Sequence, residues 1–308
     1  MRINGVHFGA YDRRNEWKEA RTVISLEMMI KRLSPSHVIL PVIAFQETVV
    51  STDIDYGSAR TVSEQEVMDL IDIVHDRGLK VILKPMVDVL DGTWRAHISF
   101  FDIDVPTEPT WTDWFRSYTD FQLRFAQIAA KKNIDIFIVG CEMVQADKRE
   151  NEWRTLIDKV RKIYSGLVTY NADKYQEDRV NWWDACDIIS SSGYYPYDGW
   201  EEQLQRIEKV VKHFNKPFFF AETGCMNVKG AMNRPNKWNE TGSRSDDNQA
   251  FFYHSMFKAC DKFKFVKGYG LWEWPTSLAL AKKVGFCPYK KKAEKIIRAY
   301  FLKTSTSY

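Results

Sequence analysis

Eight times along this chain a short apolar run is followed by a polar or aromatic loop. A stretch with apolar residues at three- and four-residue spacing comes next. The apolar runs span 5–10, 38–42, 81–85, 134–139, 167–170, 188–191, 218–221 and 269–272. Strands that are apolar on both faces and alternate with helices belong in a parallel sheet. Eight such units in 308 residues suit a closed (β/α)8 TIM barrel, typically ~250 residues plus insertions. The structural rival is an open doubly wound sheet, but GxGxxG after the first strand and GxxxxGK[ST] anywhere are both missing. Helices are expected near 16–31, 121–132, 153–164, 201–214, 246–260 and 291–301. Another begins at the capping box Ser63-Glu64-Gln65-Glu66 and stops at Gly78. The fifth crossover, 175–183, is short and poorly periodic. No Pro/Gly/Ser-rich linker and no internal repeat divides the sequence, so 1–308 reads as a single α/β barrel domain.

Composition narrows the partners. With 44 basic and 41 acidic residues the net charge is +3, which lacks the clustered basic face of a nucleic-acid binder. The run Lys290-Lys291-Lys292 opens an amphipathic segment and reads as the solvated start of a helix. Five cysteines stand singly with no CxxC, as expected of reduced thiols. Six histidines form neither HxH nor HExxH, so no metal centre is expected. No apolar run approaches the ~18 residues of a membrane helix, and the N-terminus runs directly into a strand. These features together read as a cytoplasmic, monomeric protein without a cofactor or a membrane partner.

Two long loops follow strands, 86–110 with "DVLDGTWRAHI" and 225–245. Loops after strands build the active face of a barrel. The strand ends themselves carry polar groups: Lys84 and Asp88 after the third, Glu142 after the fourth, Asn171 and Asp173 after the fifth, and Glu222 after the seventh. Glu142 and Glu222 each follow an apolar strand, and those strands lie three apart, so the carboxyls can face each other across the mouth. Glycoside hydrolysis needs such a pair: one carboxyl protonates the leaving oxygen while the other attacks the anomeric carbon or activates water. The competing reading is that each Glu merely pairs with a Lys or Arg at the rim. Glu273, between Trp272 and Trp274, is expected to point away from both, as a rim group or one that supports the site from behind.

In their order, these motifs resemble clan A of the glycoside hydrolases, and more narrowly glycoside hydrolase family 113. The carrying stretches are "GVHFGAYD", "ILKPMVDVLDGTWRAHI", "GCEM", "TYNAD", "AETG" and "LWEWP", spread over nearly the whole chain. The resemblance implies a (β/α)8 retaining endo-β-1,4-mannanase without a cofactor, acting on mannan, glucomannan or manno-oligosaccharides. It makes Glu142 the acid/base and Glu222 the nucleophile. Clan members often place Asn before the acid/base to bind the sugar 2-hydroxyl; here Cys141 stands there, a poor donor. Asn171 is the substitute candidate, and an Asx turn with Asp173 is its competing role. The clan also places a Tyr after strand six that bonds the nucleophile. Tyr195 fits best, with its neighbour Tyr194 as the alternative.

Sugars present apolar CH faces edged by hydroxyls, which aromatic planes and a few polar donors match. Candidate platform and subsite residues are Tyr11, Trp94, Arg95, Trp272 and Trp274, with Trp238 from the seventh loop. Lys84 and Arg95 are candidate donors, or else neutralise Asp88 or Asp91. Trp182 and Trp183 read as core; Trp111, Trp114, Trp153 and Trp200 sit at helix starts and are expected to pack on the barrel. Two other readings compete. One is an aldolase or isomerase using Lys84 as a Schiff-base amine; the other is a sugar-binding barrel without turnover. Another clan A β-glycanase or an exo-glycosidase is a further alternative.

Overall fold

The computed structural model describes residues 2–305. Eight parallel strands close into a barrel in sequence order, with β8 returning to β1. They are β1 Ile3–Phe8, β2 His37–Gln46, β3 Lys80–Val89, β4 Ile136–Cys141, β5 Leu167–Ala172, β6 Ile189–Ser192, β7 Phe218–Thr223 and β8 Val266–Trp274. Each contains or overlaps one of the eight apolar runs. The helices are α1 Ala20–Leu33, α2 Glu64–His75, α3 Trp111–Lys131, α4 Glu150–Arg161, α5 Trp200–Phe214, α6 Asp246–Cys260, a short α7 Leu278–Ala281 and α8 Lys292–Ser305. The β5–β6 crossover carries only a 3-10 turn at Trp183–Ala185, in line with its weak periodicity.

Local chemistry explains the boundaries. The Ser63 hydroxyl accepts from the Glu66 amide while the Glu66 carboxylate accepts from the Ser63 amide at 2.9 Å, satisfying two orphan donors of α2. Strands β2 and β3 run further than the apolar pattern suggests. Pro41 and Pro85 each remove a ladder donor, yet the pairing continues in register from His37–Lys80 to Gln46–Val89. That extension lifts Asp88 and the following loop above the barrel mouth.

Two apolar layers hold the frame. Ile3, Ile39, Ile82, Ile136, Ile138, Ile188, Phe219 and Ala221 fill the barrel interior. A larger shell packs helices on the sheet and contains Trp111, Trp114, Trp153, Trp182, Trp183 and Trp200, all buried. The five cysteines are buried and unpaired. Among the described residues, no helix is long and apolar enough to cross a membrane.

Candidate active site

Glu142 and Glu222 meet at the C-terminal mouth of the barrel. Both line one cavity of about 460 Å³, within the roughly 300–1,000 Å³ usual for small-ligand sites. An oxygen of each carboxyl lies within 4.8 Å of the other and of the Cys141 sulfur. Spacing of this order matches the ~5–5.5 Å of a retaining glycosidase, not the 6.5–9.5 Å of an inverting one.

The two carboxyls stand in different surroundings. Glu222 is buried and paired with the fully buried Lys84 through Oε1; its Oε2 accepts from the Tyr194 hydroxyl at 2.9 Å. Burial alone would push its pKa up; the Lys84 ammonium overrides that and holds the carboxyl down at about 2. Glu142 leaves β4 with φ +54, a left-handed conformation that costs a non-glycine residue roughly 1–2 kcal/mol. Its amide donates to the Asn171 carbonyl at 2.8 Å, and the next amide, of Met143, donates to the Tyr170 hydroxyl at 2.8 Å. The Glu142 carboxylate accepts from Arg95 Nη1 at 3.1 Å, Trp94 Nε1 at 3.3 Å and Ser192 Oγ at 2.6 Å.

Several expected residues line this cavity: Tyr11, Asp88, Trp94, Arg95, Tyr194 and Trp272. Arg95 is fixed by the Val87 carbonyl at 2.9 Å, by Asp88 at 3.6 Å and by the Tyr11 hydroxyl at 3.2 Å. Asp91 is not its partner; that carboxylate accepts from the Thr93 amide instead. Trp238 stands over Trp272, ring centroids 5.3 Å apart, so the two long loops do contribute to the mouth.

Four expectations are corrected. Tyr195 does not reach Glu222: its hydroxyl donates to Glu177 at 2.7 Å and its ring packs on Trp200. Adjacent residues of an extended chain face opposite ways, and an irregularity between Ser191 and Ser192 shifts the count by one. Lys84 is no sugar donor, because it lies beneath the cavity floor, bonded to Glu222 and Asn171. Asn171 is fully buried within β5, its amide used by Lys84, Ser192 and the Ala172 carbonyl, so neither a 2-hydroxyl contact nor an Asx turn fits. Trp274 is buried away from the cavity with its indole donating to Ser25 at 3.0 Å. A register shift between Val6 and Phe8, where β8 pairs with β1, turns it toward α1 while Trp272 stays in the mouth. Glu273 does not line the cavity either, and burial raises its pKa to about 8.

Other members of the site were given no binding or catalytic role from the sequence. Asp173 lines the cavity with a pKa raised to about 7, by burial and then by the Glu142 charge, against the pull of Lys174. Lys174 also sits 5.4 Å from the centre of the Trp94 ring. His7 packs on Trp272 at 4.9 Å, and burial, followed by the Lys84 charge, lowers its pKa to about 3, which leaves it neutral. Its signal was a histidine inside an apolar strand; that of Ser192 was a serine triplet where β6 could have carried aliphatics. The Schiff-base reading fails on Lys84 itself: burial would lower its pKa, but the Glu222 carboxylate bonded to it outweighs that cost and raises it, so the amine stays protonated. Cys141, Glu142 and Glu222 together could ligate a cation. Lys84 and Arg95 already neutralise the two carboxylates, so a metal would have to displace a buried ammonium.

A TIM barrel holding two close carboxyls at the ends of β4 and β7 has the architecture of a retaining glycoside hydrolase. The comparisons agree: the model of Glycoside Hydrolase Family 113 matches residues 6–291, and the chain belongs to that family. A solved structure described as a complex of a GH113 β-1,4-mannanase is 47% identical, with TM-score 0.96, covering 98% of this chain and 99% of that one. The GH113 β-mannanase from Alicyclobacillus acidocaldarius, in complex with ManMIm, is 36% identical, with TM-score 0.94 over 98% and 97% of the two chains. A β-glucuronidase from Ruminococcus gnavus is 14% identical, with TM-score 0.65 over 98% of this chain and 50% of that one, and shares only the fold. No curated protein matches the sequence.

Proposed function

We infer that this chain is a retaining endo-β-1,4-mannanase in which Glu222 is the nucleophile and Glu142 the acid/base. The observation that carries the reading is the carboxyl pair within 4.8 Å, one member held ionised by Lys84. Membership of family 113 and the two mannanase structures above support β-1,4-mannan as the substrate class.

In the first step Glu222 attacks the anomeric carbon while Glu142 gives its proton to the departing glycosidic oxygen, and a glycosyl ester forms on Glu222. In the second step Glu142 takes a proton from water, the hydroxide attacks the same carbon, and the ester bond breaks with net retention. The Tyr194 hydroxyl fixes the plane of the attacking carboxylate. Trp94 and Trp238, both exposed, offer apolar faces to the sugar rings, while Trp272, buried against His7 and Trp238, lines the cavity wall.

Proton NMR during hydrolysis of manno-oligosaccharides should show the β-anomer first; initial α-product would overturn the retaining mechanism. Glu222→Ala is expected to lose turnover on every substrate. Glu142→Ala should lose 10²–10⁴-fold in kcat/KM on oligosaccharides yet keep most of it on dinitrophenyl mannosides, whose leaving group needs no acid. Product sizing on mannan, glucomannan, xylan and cellulose separates endo from exo action. No release from any polymer would leave a sugar-binding barrel.

A further inference from the structure

We propose that Ser192 is a positioning residue for the acid/base, the last link of a buried hydrogen-bond chain of fixed direction that runs Lys84–Asn171–Ser192–Glu142. The proposal rests on the reading of Glu142 as acid/base.

Direction follows from what each group can donate. An ammonium has three N–H groups and no lone pair, so Lys84 Nζ must donate, and the Asn171 atom 2.8 Å away must be the amide oxygen. The other end of that amide is therefore NH2. It donates to Ser192 Oγ at 3.0 Å and to the Ala172 carbonyl at 3.0 Å. The oxygen of Ser192 is then an acceptor, and its single proton goes to Oε1 of Glu142 at 2.6 Å. Lys84, Asn171 and Ser192 are all 0% exposed, so bulk water has no access with which to reorder the chain.

The consequence concerns both carboxyls. The ammonium that holds Glu222 ionised also sets, two links away, which way the hydroxyl beside Glu142 points. Among the described donors to the Glu142 carboxylate, only Ser192 comes from the barrel wall; Arg95 and Trp94 come from the loop after β3, and Trp94 is 40% exposed. Glu142 itself has left the strand in a left-handed conformation, so its carboxyl plane depends on such contacts. Ser192 thus anchors one oxygen to the strand that also borders β7, where the nucleophile sits.

The test compares kcat/KM, which reports the first step, on an unactivated manno-oligosaccharide and on 2,4-dinitrophenyl β-mannoside. Ser192→Ala is expected to lose about ten- to a hundredfold on the oligosaccharide, the worth of a hydrogen bond to a charged group, and less than about threefold on the activated substrate. The basic limb of its kcat/KM–pH profile should move to higher pH, because a donor to the ionised carboxyl is gone. Ser192→Cys leaves no cavity, its sulfur being somewhat larger than the oxygen, but is a much weaker donor and should fall on the same side. Equal losses on both substrates, or an unmoved basic limb, would overturn the proposal. Glu142→Ala measured alongside separates the two layers. If that variant shows no leaving-group dependence, the acid/base reading itself fails; if it does and Ser192→Ala does not, only the Ser192 proposal falls.

Discussion

At the scale of single residues, the site is decided by which neighbour a side chain faces. Glu222 tolerates burial because Lys84 is buried with it; either charge alone would cost several kcal/mol. Two adjacent tyrosines divide the remaining work. Tyr194 donates to Glu222, whereas Tyr195 donates to Glu177, which also accepts from Ser191 and pairs with Arg206. Tyr194→Phe should therefore lower kcat on mannan about ten- to a hundredfold, because a charged acceptor loses a donor, while the melting temperature changes little. Tyr195→Phe should do the reverse, leaving kcat within about twofold and costing about 1 kcal/mol of stability, since Glu177 keeps its other partners. Steady-state kinetics and thermal melts on the pair decide it; a kcat loss confined to Tyr195→Phe would invert the assignment.

At the scale of elements, what the sequence reveals depends on whether its periodicity survives. The eight strands and their order were legible because each is an apolar run between loops, and Glu142 and Glu222 were legible because each ends one. Three features lay beyond that pattern. Pro41 and Pro85 resemble strand ends, yet the ladder passes through both. Shifts of register beside β6 and β8 reversed the facing of Tyr194 and Tyr195 and sent Trp272 and Trp274 to different environments. The partners of Lys84 come from β5 and β7, and no local spacing encodes a contact between residues 138 positions apart. The same rim shows how tightly β7 and β8 are matched. A Cβ on Gly224 would lie 2.6 Å from the Trp272 carbonyl oxygen and 3.1 Å from the Phe286 ring. Gly224→Ala is expected to push the end of β8 outward, costing about 1–3 kcal/mol and raising KM more than it lowers kcat, because Trp272 is displaced while the carboxyls stay. Thermal melts and kinetics check this; an unchanged KM would mean that the rim yields elsewhere.

Across the whole molecule, closure of the barrel is sealed by its last helix. Arg2 donates to the Tyr300 hydroxyl at 2.8 Å, Asn4 donates to the Phe301 carbonyl at 3.2 Å, and Arg32 of α1 pairs with Glu294 of α8 at 3.1 Å. Ala293, Ile297 and Phe301 are buried in the main apolar cluster, and the Tyr300 ring stacks on Phe257 of α6 with centroids 3.8 Å apart. One face of α8 thus covers the junction where β8 returns to β1. Losing it would remove the buried contacts of Ala293, Ile297, Tyr300 and Phe301 and expose the α6 residues beneath them, Phe257 among them. At about 1.5–3 kcal/mol for each large apolar group, that rivals the 5–15 kcal/mol that holds a typical domain folded. A chain ending at Lys291 should therefore be insoluble or molten, with no mannanase activity, although every cavity residue is still present. The full chain should unfold in one transition seen alike by near-UV absorbance of its tryptophans and by far-UV circular dichroism. A truncated chain that keeps activity, or two separated transitions in the full one, would show that the barrel closes without α8.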